Sequence, residues 1–258
     1  MHSELNKVFG LAGRSGIVTG AASGIGKAAA VQLAAMGANV ALVDLNEQGL
    51  HQTAQRIRSA GEVGIEVYPA DAADEGTINR LVSETLEAFG AVDFLVNAAG
   101  IMRRTAFVDL DAQEWDLLLN VNLRGPFLFC KAVSVPMIEA GRGVIVNVAS
   151  LAGRTCSILG GPHYTTAKHG LIGLSRHMAR ELAPLGIRVN AFCPGATLTP
   201  MFQDASSHEE MQNVAASIPR RRIATPEEQA RVIGFLVSDA AVNIVGAAID
   251  SNGGSLMT

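Results

Sequence analysis

Charge is scarce in this chain of 258 residues. Asp, Glu, Lys and Arg supply 17% of it, against about 25% in an average globular chain. Hydrophobic residues make up 48%, which excludes a disordered segment and requires that much of the chain be buried or face a partner subunit. An excess of either sign is also missing. Twenty Lys and Arg against 24 Asp and Glu leave a net charge of -4, no footprint for gripping nucleic-acid phosphates or an anionic membrane. The most apolar stretch, Ala28 to Val43, is interrupted by Gln32, Gly37 and Asn39, and the opening MHSELNKVFG has no apolar run fit for a signal peptide. The reading is a soluble, cytoplasmic protein. Cys130, Cys156 and Cys193 are an odd, widely spaced set without a CxxC, so neither a disulfide framework nor a thiolate zinc site is expected, and they read as small buried fillers. No two histidines stand four residues apart in the zinc-helix pattern with its carboxylate, and no metal is expected.

What is there is an alternation. Short runs rich in Val and Ile fall at Gly16 to Thr19, Asn39 to Val43, Ile65 to Tyr68, Phe94 to Asn97, Val144 to Val148, Arg188 to Phe192 and Ala247 to Asp250. Between them lie stretches of helical periodicity. Several runs are apolar at nearly every position, as in a parallel sheet covered on both faces. The pattern predicts a single α/β domain over residues 1–258, a Rossmann-type doubly wound sheet of seven mainly parallel strands. Helices are expected over Ile25 to Met36, Glu47 to Ala60 and Glu75 to Phe89, each followed by a glycine (Gly37, Gly61, Gly90) placed for a left-handed C-terminal cap. Further helices are expected over Ala112 to Cys130, Tyr164 to Leu182 and Pro226 to Ser238. The stretch from Pro200 to Arg222 departs from this rhythm, and insertions of that length are usually functional.

The turn Thr19-Gly20-Ala21-Ala22-Ser23-Gly24-Ile25-Gly26 follows a strand and opens a helix. In a parallel sheet that position faces the crevice beyond the strand ends, and glycines let a pyrophosphate approach backbone N–H groups. Asp44 ends the second strand about 20 residues on, where a carboxylate can accept both ribose hydroxyls of NAD. A 2′-phosphate would meet like charge there, so NAD is favoured over NADP. Asp44 as a plain helix N-cap is the structural alternative.

Tyr164 and Lys168 stand four apart at the start of a helix and so share a face about 6 Å apart. A nearby ammonium favours the phenolate of a tyrosine, suiting the pair to proton transfer. Ser150 ends the strand VIVNVAS at the same sheet edge, placed to hydrogen-bond a substrate oxygen. His163, beside Tyr164, is a candidate substrate contact, with helix capping as the alternative.

Together these motifs, with Asp71, NAAG (Asn97 to Gly100), NVNL (Asn120 to Leu123), PGATLT (Pro194 to Thr199) and the closing NGG (Asn252 to Gly254), resemble the short-chain dehydrogenases/reductases in their common form of about 250 residues. The resemblance implies a catalytic tetrad: Tyr164 as proton donor or acceptor, Lys168 lowering its pKa and holding the nicotinamide ribose, Ser150 orienting the substrate oxygen, and Asn122 fixing a helix bend and a water beside Lys168. It also implies that Gly20, Ser23, Gly24, Ile25 and Gly26 hold the cofactor, that Asp71 and Ala72 meet adenine, and that Asn97, Ala98, Ala99 and Gly100 border the adenosine. Thr197 and Thr199 would hold the nicotinamide carboxamide, and Pro194 and Gly195 beside them would also bind the cofactor. Two departures stand out. Asn252 replaces the usual Asp before the closing glycines, and Ser150 and Tyr164 are about one residue further apart than in many relatives.

The expected activity is an NAD-dependent interconversion of a secondary alcohol and a ketone, on a small-molecule substrate and without nucleic-acid or membrane partners. A 3-oxoacyl-acyl-carrier-protein reductase and a catalytically silent dinucleotide-sensing or scaffold protein are the alternatives. Residues 200–222 are expected to form a mobile lid whose first side chains, Met201 and Phe202, lie near the reacting carbon and favour a substrate with a hydrophobic body. Two long helices with apolar faces point, with the resemblance, to a homotetramer.

Overall fold

A computed structural model describes residues 2–257. Seven strands form one sheet: β1 (Ser15–Thr19), β2 (Asn39–Asp44), β3 (Ile65–Pro69), β4 (Phe94–Asn97), β5 (Gly143–Val148), β6 (Ile187–Pro194) and β7 (Ala248–Ser251). All neighbours pair in parallel, in the order β3-β2-β1-β4-β5-β6-β7. Every strand expected from the sequence is present; the nearly all-apolar runs of β1, β2, β4 and β5 fill the centre of a sheet covered on both sides, and the half-buried β3 and β7, which carry Glu66 and Asp250, form its edges. The order reverses direction between β1 and β4, and that switch point opens a crevice beyond the C-terminal strand ends.

Helices cover both faces. On one, α2 (Gly24–Ala35), α3 (Glu47–Arg58) and α10 (Pro226–Val237) bury Leu33, Leu50 and Leu236 against Val18, Leu42 and Phe192. On the other, α4 (Glu75–Phe89), α6 (Gly125–Ala140) and α7 (Pro162–Leu182) cover Ile17, Leu95 and Ile145. Ile17 and Val18, adjacent in β1, go to opposite cores, as the two-residue period of a strand requires. A first helix, α1 (His2–Phe9), has no counterpart in the sequence expectations.

Three expectations need correction. Gly37 and Gly90 do adopt left-handed backbone (φ 97° and 76°), but Gly61 does not, and α3 ends at Arg58 with Ser59 as its cap in ordinary helical conformation. The helix expected over Ala112 to Cys130 is α5 (Ala112–Leu119), a π-helical turn over Asn120–Arg124, and then α6, which runs on to Ala140. One extra residue in that turn shifts the helical phase while leaving apolar periodicity on either side, so the sequence reads through it. Cys130 and Cys193 are buried, but Cys156 is exposed and lines the crevice.

The stretch after β6 folds into α8 (Pro200–Asp204) and α9 (His208–Ser217). Thr199 caps the first; Ser207 and Glu210 close a reciprocal capping box on the second. Phe202, Ile218 and Ile223 form a small core of their own with Met211 and Val214. The stretch therefore buries apolar surface within itself as well as facing the crevice.

Candidate active site

The crevice is a cleft of about 730 Å³ running from the tip of β2 across the switch point to α8. Its floor is the glycine turn. A Cβ at Gly26 would lie 2.2 Å from the Gly20 carbonyl oxygen, so α2 can start this close to β1 only without a side chain there. Gly20 itself has φ 69°. Thr19 Oγ1 accepts from the N–H groups of Ala98 and Ala99 at 3.1 Å each, tying the ends of β1 and β4 together beneath the cleft. Ser23, Gly24 and Ile25 line it at the start of α2.

At the β2 tip the Asp44 carboxylate accepts from the N–H of Ala22 at 3.2 Å and of Asn46 at 3.0 Å. Asn46, not Asp44, caps α3, accepting from the Gly49 N–H at 3.0 Å. Asp44 is thus free of the capping role and lines the cleft beside Asp71 and Ala72. Among the described residues lining the cleft, Lys168 is the one cation.

Ala98, Ala99 and Gly100 line the cleft, but Asn97 does not. Its buried amide turns into the sheet and donates to Asn147 Oδ1 at 2.8 Å, so the expected adenosine contact from Asn97 is corrected to a bridge between β4 and β5. Asn122 is fully buried at the π turn. Its Oδ1 accepts from the Ile101 N–H at 2.9 Å and its Nδ2 donates to the Ile101 carbonyl at 2.8 Å. The amide therefore pins the loop leaving β4 to the helix bend.

Ser150, Tyr164 and Lys168 converge at the centre of the cleft. Ser150 follows β5 and accepts from the Ala152 N–H at 3.0 Å. Burial raises the Tyr164 phenol above its ordinary pKa, and the Ser150 hydroxyl on it acts in the opposite direction. Lys168 is buried, donates to the Val148 carbonyl at 2.8 Å, and is lowered by desolvation to about 8. An ammonium that titrates this low sits where a small change in its surroundings changes its charge.

His163 is not in this group. It is fully buried, its Nε2 lies 2.8 Å from Glu114 Oε1, and it lines no part of the cleft. Successive helical residues point about 100° apart, so a side chain next to Tyr164 in sequence faces away from it; the expected substrate contact is corrected accordingly.

Pro194, Gly195, Thr197 and Thr199 line the far wall. The Gln229 amide, 1% exposed, donates to Thr197 Oγ1 at 3.2 Å and to the Ser251 carbonyl at 3.2 Å. Gln229 was invisible as a site residue, although a glutamine on the apolar face of α10 is the kind of buried polar group that needs partners. Met201 and Phe202 line the same end, with Met102, Cys156, Ile158, Leu159 and Ile218. A clasp joins the two walls there: Arg104, on the loop after β4, donates to Glu210 of α9 at 3.0 and 3.4 Å and to the Ala205 carbonyl at 2.7 Å. The capping box Ser207-x-x-Glu210 is legible in the sequence; its distant partner is not. In the loop between Ser150 and Tyr164 the Gly161 N–H donates to the Arg103 carbonyl at 2.7 Å. Asn252 is a local clip, accepting from the Gly254 N–H at 3.0 Å.

This geometry has close counterparts. A family model described as enoyl-(acyl carrier protein) reductase matches residues 20–255. D-threitol dehydrogenase of Mycolicibacterium smegmatis is 39% identical, over 95% of this chain and 94% of its own length. The 3-oxoacyl-acyl-carrier-protein reductase of Thermotoga maritima is 38% identical, over 95% and 98%. The crystal structure of levodione reductase superposes with a TM-score of 0.90 at 33% identity, covering 95% of this chain and 98% of that one. The chain belongs to the short-chain dehydrogenase/reductase family. Its class is that of oxidoreductases working on small molecules with a nicotinamide dinucleotide.

Proposed function

We propose that this protein is an NAD-dependent oxidoreductase interconverting a secondary alcohol and a ketone in the cytoplasm. The carrying observation is the meeting of Ser150, Tyr164 and Lys168 in a cleft whose other end holds Asp44 and no cation. The glycine turn fits a dinucleotide: its bare backbone forms a cradle that side chains would fill. Asp44 supports NAD, because its carboxylate suits ribose hydroxyls and nothing cationic beside it would offset a 2′-phosphate. NAD, when bound, supplies the hydride acceptor or donor.

The chain's own residues do the rest. Ser150 and Tyr164 bracket the substrate oxygen; the Tyr164 phenolate takes the alcohol proton, and in the reverse direction the phenol gives its proton to the ketone oxygen. Lys168, when charged, favours the phenolate. Asn122 holds the loop at Ile101, and with it Gly100, against the site. Pro194, Gly195, Thr197 and Thr199 shape the nicotinamide end, with Gln229 fixing Thr197. The substrate end, with Met102, Ile158, Leu159, Met201 and Phe202 among a few hydroxyls such as Ser157 in its lining, is mostly apolar and uncharged, which favours a neutral substrate with a hydrophobic body. Residues 200–222 act as its lid. Exposed Phe127 and half-buried Leu119, Leu123 and Leu174 form a groove on α5, α6, the π turn and α7, which supports assembly into a homotetramer.

The test is a spectrophotometric screen of NAD and NADP against neutral and charged secondary alcohols and ketones. Turnover of neutral apolar compounds with NAD is expected. Preference for NADP and acyl thioesters would favour an acyl-carrier-protein ketone reductase, and binding without turnover would favour a silent sensor.

A further inference from the structure

His163 is a fully buried titratable side chain that the reaction does not use. It occupies the first turn of α7, where backbone N–H groups lack intrahelical partners. Its Nδ1 accepts from the Tyr164 N–H at 3.0 Å, so the proton of the ring is on Nε2, which donates to Glu114 Oε1 at 2.8 Å. The same carboxylate oxygen accepts from the Thr105 hydroxyl at 2.6 Å. Thr105 first and His163 second hold the Glu114 carboxyl below its usual range. Glu114 lies in the first turn of α5, an end of the helix that favours a negative charge.

The imidazole therefore joins three segments at the residue before the tyrosine. Glu114 anchors it to α5, Thr105 extends the chain to the loop that Asn122 pins at Ile101, and the Tyr164 backbone completes it. Space is closed around the junction: a Cβ at Gly161 would lie 2.8 Å from the His163 ring, and one at Gly160 would lie 2.8 Å from the Tyr164 ring.

We propose that His163 is a positioning residue, held by Glu114 and Thr105, that fixes Tyr164 in the orientation needed for proton transfer. The proposal rests on the alcohol–ketone reading above. Displacing a reacting group by about 1 Å can cost 10²-fold in rate, and the main chain of Tyr164 is what the imidazole holds.

The experiment compares the unaltered protein, Tyr164→Phe, His163→Ala, Glu114→Ala and the last two combined, with a turned-over substrate from the screen. His163→Ala should lower kcat about 10- to 100-fold, leaving KM and the NAD dissociation constant near those of the unaltered protein. Glu114→Ala should do part of the same, and the pair should be less than additive because both belong to one chain of hydrogen bonds. Glu114 has a side chain 25% exposed, so its variant keeps the test alive if His163→Ala does not fold. A second readout needs no substrate. The chain has 2 tyrosines, so in a Tyr68→Phe background near-ultraviolet tyrosinate absorbance reports Tyr164 alone. There His163→Ala should move its titration down by about half a pH unit or more, as water reaches a ring whose burial holds it up. A folded His163→Ala protein with kcat within about twofold of normal and an unmoved Tyr164 titration would overturn the proposal. If Tyr164→Phe were as active as the unaltered protein, the reaction assigned to the site would fail instead.

Discussion

The Lys168 ammonium stands 5.8 Å from the centre of the Tyr164 ring while donating to the Val148 carbonyl at 2.8 Å. The lysine is thus fixed by β5, and the tyrosine is carried one helical turn before it on α7. Tyr164→Phe keeps that packing and removes the proton carrier. Turnover should fall by the 10²–10⁴-fold typical of general acid–base catalysis, with NAD binding by calorimetry unchanged.

Lys168 also sets a pH dependence of stability. Its pKa is 10.5 when unburied and about 8 in the fold, so between those values the unfolded chain holds more protons. Stability from this group therefore rises with pH across that window, and below it the buried ammonium is a liability of the order of 3 kcal/mol. Lys168→Met should gain most over the parent at about pH 7, and the advantage should shrink towards about pH 10. Urea unfolding at both pH values measures it; an advantage constant with pH would contradict the assignment.

Cofactor choice is assigned to Asp44. NAD should bind at least about tenfold more tightly than NADP, a difference of about 1.4 kcal/mol. Asp44→Ala should narrow the gap, and equal affinities in the unaltered protein would remove the argument from the β2 carboxylate.

The central strands were legible because they are apolar at nearly every position, the others, such as β3 with Glu66 and β7 with Asp250, from short runs rich in Val and Ile or their place in the alternation, and the glycine turn, Asp44, Ser150, Tyr164 and Lys168 because local spacing fixes which sheet edge they reach. What was not legible depends on phase or on distance. The π turn changes the direction of the chain without changing its composition. His163 sits beside Tyr164 in sequence yet on another face of α7. Arg104 meets Glu210 across a gap of 106 residues, and nothing local in either announces the other.

That clasp bears on the proposed lid. Hydrogen exchange over residues 200–222 should slow when NAD and a substrate analogue are added, and Arg104→Ala should speed it and raise the substrate KM. Unchanged protection there, with protection gained elsewhere in the cleft, would mean that the segment is a fixed wall.

Assembly is measured by light scattering at micromolar concentration, where a tetramer mass is expected. Phe127→Arg places a charge in the groove beside Leu123 and Leu174 and should shift the protein towards smaller species. A monomer mass for the unaltered protein would refute the proposed oligomer.

The cleft's floor is main chain, whereas its substrate end is made of side chains on surface loops and short helices. A backbone floor tolerates almost no variation: a methyl group at Gly26 already collides with Gly20. Loop side chains such as Met102 and Ile158 can be exchanged without moving the glycine turn or the tyrosine. Selection, natural or in a directed library, can therefore alter what such an enzyme consumes in small steps while the inherited redox machinery stays intact.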